Sequence, residues 1–125
     1  MNNLFILISM FFMHIVDDYY LQGVLAKLKQ KASWPADVSL YAHDYMAALV
    51  AHGMSWAFCV MLPISASQNF NVKPTLFFFW IVMGLIHACI DDQKANQHTI
   101  NLIQDQLLHV LQIVIIFTAY ITNVI

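Results

Sequence analysis

The sequence predicts an all-α protein, a four-helix antiparallel transmembrane bundle forming a single domain over residues 1–125. Three observations carry that expectation. Of the 125 residues, 61% are hydrophobic and 10% charged, whereas an ordinary soluble domain is about 25% charged. The apolar residues fall into four segments, at residues 3–25, 39–64, 74–89 and 100–124. Runs such as 76–86 (LFFFWIVMGLI) and 110–121 (VLQIVIIFTAYI) are apolar on every side, which suits lipid contact or deep burial.

The first segment is cleanly apolar only over residues 4–16. A bilayer core needs about 20 residues of helix, so this span must include the turn from His14 to Asp18. No lysine or arginine precedes it, so it reads as a retained first helix and not a cleaved signal. Ser33-Trp34-Pro35-Ala36-Asp37 marks a turn and a cap before the second segment. Residues 63–74 (PISASQNFNVKP) read as a polar loop between the second and third. Residues 92–99 (DQKANQHT) link the third to the fourth, with Thr99 as its cap.

Lys27, Lys29, Lys31 and Lys94 follow the first and third segments, and only Lys73 lies on the other side. That split places the lysine-bearing connections in the cytoplasm and both termini outside, as expected for a bacterial inner-membrane protein. Arginine is absent, and with no basic patch nucleic-acid binding is not expected. Cys59 and Cys89 sit in separate apolar segments without CxxC spacing and read as packed free thiols.

The chemistry lies in the ionisable residues. Three pairs share one spacing: His14 with Asp18, His87 with Asp91, and Asp105 with His109. Residues four apart share a helix face, so each pair offers an imidazole nitrogen and a carboxylate oxygen to one point. With the segments running in alternating directions, all three pairs fall toward the same end. Ionisable groups inside apolar helices are costly and are usually kept for a site. In the second segment His43 and His52 are nine residues apart and point in opposite directions. His52 matches the depth of His14 and His87 and is the preferred member, with Asp44 as an outer partner and His43 the alternative. Gln22 continues the Asp18 face, and Lys94 lies near the Asp91 face. Asn101, Asp105, His109 and Gln112 form one stripe.

Blander readings apply to other residues. A single His–Asp pair can be a satisfied polar contact between helices. One acid of each doublet, Asp17 or Asp92, reads as solvated. Tyr19, Tyr20, Trp34, Tyr41 and Tyr45 read as an interfacial aromatic belt. Lys27, Lys29 and Lys31 read as an orientation and headgroup patch, and His98 as a loop residue.

The stretch His14-Ile-Val-Asp-Asp18-Tyr-Tyr-Leu21-Gln22, with His87-x-x-x-Asp91-x-x-Lys94 and Asp105-Gln106-x-x-His109, resembles domain-of-unknown-function family 3307, small polytopic bacterial and phage membrane proteins. The resemblance spans nearly the whole chain and adds Gln106 to the candidates. It departs at Tyr19, where the family pattern has Phe. More distantly, the repeated His/Asp helices are similar to membrane-bound metal-dependent hydrolases, by analogy only.

The expected function is a membrane-embedded, divalent-metal-dependent hydrolase acting at the cytoplasmic leaflet. His14, His52, His87 and His109 supply nitrogen ligands; Asp18, Asp91 and Asp105 supply oxygens. That mixed set suits Zn, Mn or Fe. Asp18, Asp105 and Lys94 are the candidate catalytic groups, one acid serving as base and Lys94 neutralising an anionic substrate. Gln22 and Gln106 orient ligands or water. The expected partners are the bilayer and an amphipathic or lipid-phosphate substrate. Two alternatives stand beside this reading. One is a proton or cation transporter, which needs a homo-oligomer. The other is a non-catalytic phage or bacterial accessory protein.

Overall fold

The computed structural model describes residues 2–125, and every regular element among them is helical. The first helix, α1 (Asn3–Val16), starts at Asn2, whose side chain accepts from the Leu4 amide at 2.8 Å. The chain was expected to remain helical to residue 25. Instead it widens into a π-helical turn over Asp17–Leu21 and reverses at Gly23, whose φ of 47° suits a residue without a Cβ. A four-residue helix, α2 (Leu25–Leu28), and two short 3-10 turns at Lys31–Ser33 and Ser39–Tyr41 complete the connection.

Helix α3 (Asp44–Ser67) is the longest, at 24 residues. Pro63, expected to open a loop, lies buried inside it. Its neighbours Val60, Met61 and Ile64 are also buried, and that packing outweighs the one backbone bond a proline removes. The helix ends where Asn69 and Phe70 turn left-handed and the Phe70 amide closes onto the Ser65 carbonyl at 2.8 Å. Helix α4 (Pro74–Ala95) has proline in its first turn, where the missing N–H costs nothing. It runs past the expected end at residue 89, which keeps Asp91 and Lys94 helical. Helix α5 (Leu102–Ile121) is capped by Asn101 and Gln104 in a reciprocal capping box. Thr99, the expected cap, instead bonds Gln93.

Helix α3 packs against α1, α4 and α5. Its crossing with α4 is the tightest: a Cβ on Gly53 would lie 2.2 Å from the Gly84 carbonyl oxygen. Only glycine permits that approach. The apolar core is built from Ile6, Met10, Trp56, Val60, Ile64, Ile113 and Ile116, all fully buried. The outer surface is also apolar, with Leu4, Phe12, Phe77, Phe78, Leu107 and Leu111 exposed. Four helical stretches, Asn3–Leu21, Ser39–Ser67, Pro74–Ala95 and Leu102–Ile121, are long and apolar enough to cross a membrane. This is consistent with an integral membrane protein. Cys59 and Cys89 are both free thiols; Cys59 is packed as expected, whereas Cys89 lies on the exposed face of its helix.

Candidate functional site

The buried polar and charged residues are His14, Asp17, Lys29, His52, His87, Asp91, Asp105, His109 and Gln112. They form one cluster at the C-terminal part of α1, the first half of α3, the second half of α4 and the start of α5. Asp18 joins them with a side chain only 8% exposed. Each element delivers its residues for a local reason. The π-turn widens α1 where Asp17 and Asp18 follow each other, so both acids reach inward although they are adjacent in sequence. The close Gly53–Gly84 crossing brings His52 of α3 and His87 of α4 within reach, one residue before the first glycine and three after the second. Helical spacing does the rest: Nε2 of His109 lies 3.4 Å from Oδ1 of Asp105, and Nε2 of His87 lies 3.8 Å from Oδ1 of Asp91.

At the centre, Nε2 of His52 lies 3.4 Å from both Oδ1 of Asp18 and Oδ2 of Asp91, and 3.3 Å from Nε2 of His87. Nε2 of His109 sits 3.4 Å from Oδ1 of Asp91. These separations are long for hydrogen bonds between such groups. Oδ1 of Asp18, Oδ1 of Asp105 and Nε2 of His109 are buried without a hydrogen-bond partner. Two trios have donor atoms close enough to hold a metal ion: Asp18, His52 and His87, and His87, Asp91 and His109.

For His14 and His109 the surrounding bonds fix which ring nitrogen carries a proton. Gln112 donates from Nε2 to the Met83 carbonyl at 3.0 Å, so its oxygen accepts from Nδ1 of His109 at 3.2 Å. Neutral His109 therefore presents a bare Nε2 to the centre. Nδ1 of His52 faces Oδ2 of Asp17 at 3.5 Å, and Oδ1 of Asp17 accepts from the Ser55 hydroxyl at 2.6 Å. His14 is different. The Trp56 indole N–H donates to its Nδ1 at 2.8 Å, so Nε2 carries the proton and donates to Oε1 of Gln106 at 3.1 Å. Gln106 in turn donates to Oδ2 of Asp105 at 3.1 Å. The His87 ring stacks on Trp56, with centroids 4.3 Å apart, and on His109, at 4.1 Å, and those two rings are themselves 5.8 Å apart.

Two ammonium groups complete the cluster. Lys29 donates to Asp91 and Lys94 to Asp105. Four carboxylates against two ammoniums leave a formal charge of −2 when the imidazoles are neutral. A cavity of about 280 Å³ reaches the cluster from outside, lined by Asp18, Gln22, Lys29, Asp91, Lys94 and Gln106 among others. Gln22 bonds the Asp18 carbonyl and so borders this opening.

The sequence-derived candidates His14, Asp18, His52, His87, Asp91, Lys94, Asp105, Gln106 and His109 thus meet in one place, with Gln22 at the rim. His43 is exposed at the start of α3, and neither it nor Asp44 has a hydrogen bond or ion pair to the cluster among the described residues. Asp92 is bonded to Asn96 and Gln97 outside the cluster. Asp17, expected to be solvated, is instead buried in the cluster, and Lys29, Ser55 and Trp56 also belong to it. Asp17 lies three residues after His14 and Ser55 three after His52, a shared-face spacing that was available as a signal. Lys29 lies outside the long helices, so no periodicity pointed to it; it is buried, not part of a headgroup patch.

Fold and site together define an all-helical protein with four long apolar helices around one buried His–Asp–Lys cluster. The family model described as "Protein of unknown function (DUF3307)" matches residues 6–125, and the chain belongs to that family. No curated protein and no solved structure matches the chain.

Proposed function

We propose that the protein is a divalent-metal-dependent hydrolase embedded in the bacterial inner membrane, its four long helices crossing as an antiparallel bundle and its site opening to the cytoplasmic leaflet. The observation that carries this reading is the convergence of nitrogen and oxygen atoms from His52, His87, His109, Asp18 and Asp91 in a buried centre, their close pairs 3.3–3.8 Å apart and two of them, Oδ1 of Asp18 and Nε2 of His109, without a hydrogen-bond partner. A tetrahedral ion with bonds of about 2.0–2.1 Å holds its ligands about 3.3 Å apart. The formal charge of −2 supports one divalent ion, because burying uncompensated charge costs several kcal/mol.

In this reading His52 and His87 bind through Nε2, with Asp18 and Asp91 as oxygen ligands and His109 as a further nitrogen. Zn, Mn and Fe all accept such a set. Gln112 bonds the far nitrogen of His109 and so orients that ring, and the Asp17 carboxylate faces the far nitrogen of His52 at 3.5 Å. His14, with both nitrogens engaged, positions Gln106 in place of ligating. The ion supplies Lewis acidity and a water acidified toward neutrality. Asp18 borders the cavity and is the acid best placed to receive a proton from that side, while Lys94 stands at the mouth beside an arriving anion. Asp105, held by Lys94 and Gln106, closes the inner wall.

Orientation follows from Lys27 and Lys31, which are exposed at the cluster end; positive charge favours the cytoplasmic side and leaves both termini outside. A one-sided site also fits the interior better than a transport path. Beyond Gln112 the buried residues are apolar, among them Ile6, Met10, Ile64, Ile113 and Ile116, so among the described residues no buried polar route leads to the other face.

The test is hydrolysis of amphipathic esters by detergent-purified protein, with and without chelator. Activity that returns with one added divalent ion, and is absent from a His52→Ala, His87→Ala variant, supports the reading. Turnover indifferent to chelator, or retained in that variant, contradicts it.

A further inference from the structure

The polar cavity does not stand alone. A second, wider depression of about 570 Å³ runs along the outside of α1 and α5, lined by Phe11, Ile15, Tyr20 and Val110 together with His14, Tyr19 and Gln106. Its lining is mostly apolar. Tyr19 and Gln106 border both this groove and the polar cavity, so the two meet at that pair of side chains. The groove faces the same surface as the exposed Phe12, Leu107 and Leu111, where an integral membrane protein meets acyl chains.

We propose that the site takes a membrane lipid with a terminal phosphomonoester, its head in the polar cavity and its acyl chain in the α1–α5 groove. This rests on the divalent-cation reading for part of its charge. Lys29 and Lys94 line the cavity beside Asp18 and Asp91. A divalent ion brings the formal charge of the cluster from −2 to zero, so an anion meets the two ammonium groups without the repulsion of uncompensated carboxylates. Gln22, Gln30 and Gln106 add amide N–H groups able to donate to phosphate oxygens. The cavity volume sits at the low end of small-molecule pockets, which fits a bare phosphate on glycerol and excludes a bulky head. The apolar groove distinguishes a lipid from free phosphate, since phosphate alone has no use for it. Hydrolysis there places the water oxygen on phosphorus, breaks the ester P–O bond and leaves the proton on the departing lipid alcohol; the products are inorganic phosphate and diacylglycerol.

The experiment uses the full chain in phosphatidylcholine nanodiscs with a photoactivatable phosphatidic acid. Crosslinks are mapped by mass spectrometry, and metal content is measured on the same samples. The proposal expects crosslinks on α1 and α5 near Ile15 and Val110, competed by phosphatidic acid but not by diacylglycerol of the same chains or by inorganic phosphate. Val110→Trp, which fills the groove from the lipid side, should lower the yield about tenfold with metal content and thermal stability unchanged. Lys94→Gln should lessen the preference for phosphatidic acid over diacylglycerol. Equal competition by diacylglycerol, full competition by phosphate alone, or unchanged crosslinking in stable Val110→Trp would each overturn the proposal. A metal-free protein that still prefers phosphatidic acid would instead overturn the cation reading and leave the lipid site standing.

Discussion

Oδ2 of Asp17 lies 3.5 Å from Nδ1 of His52, while the other oxygen of Asp17 is occupied by the Ser55 hydroxyl. A buried carboxylate thus stands behind the ring whose Nε2 faces Asp18, Asp91 and His87. Carboxylates in this position fix a histidine's tautomer and raise its basicity. Asp17→Asn should therefore weaken divalent-cation affinity by about 10–100-fold without touching the ion. Calorimetric titration in detergent measures the affinity, and nitrogen NMR of the imidazoles reads the His52 tautomer. Unchanged affinity with an altered tautomer would show that Asp17 does not act through His52.

Gln112 of α5 is buried and joins His109 to the Met83 carbonyl on α4. Gln112→Leu leaves the Nδ1–H of His109 without a partner in an apolar surrounding. The expected loss is about 1–3 kcal/mol per group left unsatisfied, read as a lower unfolding temperature. An unfolding temperature equal to wild type would mean that neither bond contributes.

The α3–α4 crossing predicts an order of effects. A Cβ on Gly53 meets the backbone of Gly84 at 2.2 Å, and the backbone cannot move aside without parting the helices. A Cβ on Gly84 first meets the flexible end of Met54 at 2.8 Å. Gly53→Ala should thus destabilise by about 1–3 kcal/mol or more, and Gly84→Ala by less. Because His52 adjoins Gly53, the first variant should also weaken cation binding. The reverse order in thermal unfolding would contradict the packing described.

Lys29 gives a prediction that separates a metal site from an inert ion-pair network. Lys29→Met leaves the buried carboxylate of Asp91 uncompensated, which costs about 3–5 kcal/mol in a metal-free protein. A divalent ion restores the lost positive charge. The variant should therefore gain more in unfolding temperature from added cation than wild type does. A variant that is destabilised and indifferent to every divalent ion tested would favour the structural reading.

Much of this was legible in the residues because helical periodicity is a strong signal. The three one-turn pairs His14–Asp18, His87–Asp91 and Asp105–His109 needed only a spacing of four and a common depth. His52 was separated from His43 by the angle that nine residues subtend. What escaped depended on departures from the regular helix or on three-dimensional context. The π-turn at Asp17–Leu21 lets two consecutive acids face inward, where a uniform helix would divide them. Lys29 reaches Asp91 from the four-residue α2, beyond any periodic pattern. Pro63 and the true end of α4 were misplaced because packing around Ile64 and Asp91 outweighed local signals. Thr99 was read as a cap although Asn101, two residues on, has the Gln104 partner that completes the capping box.

Whether the buried donors of His52, His87, Asp18 and Asp91 share a cation is decided by elemental analysis of detergent-purified wild type beside His52→Ala, His87→Ala, with each sample reconstituted, desalted and scanned for thermal stability. A shared cation gives about one divalent ion per wild-type chain, an unfolding temperature lowered by chelator, and neither property in the variant. Wild-type protein that retains no divalent ion after reconstitution, with an unfolding temperature unmoved by chelator, would contradict it.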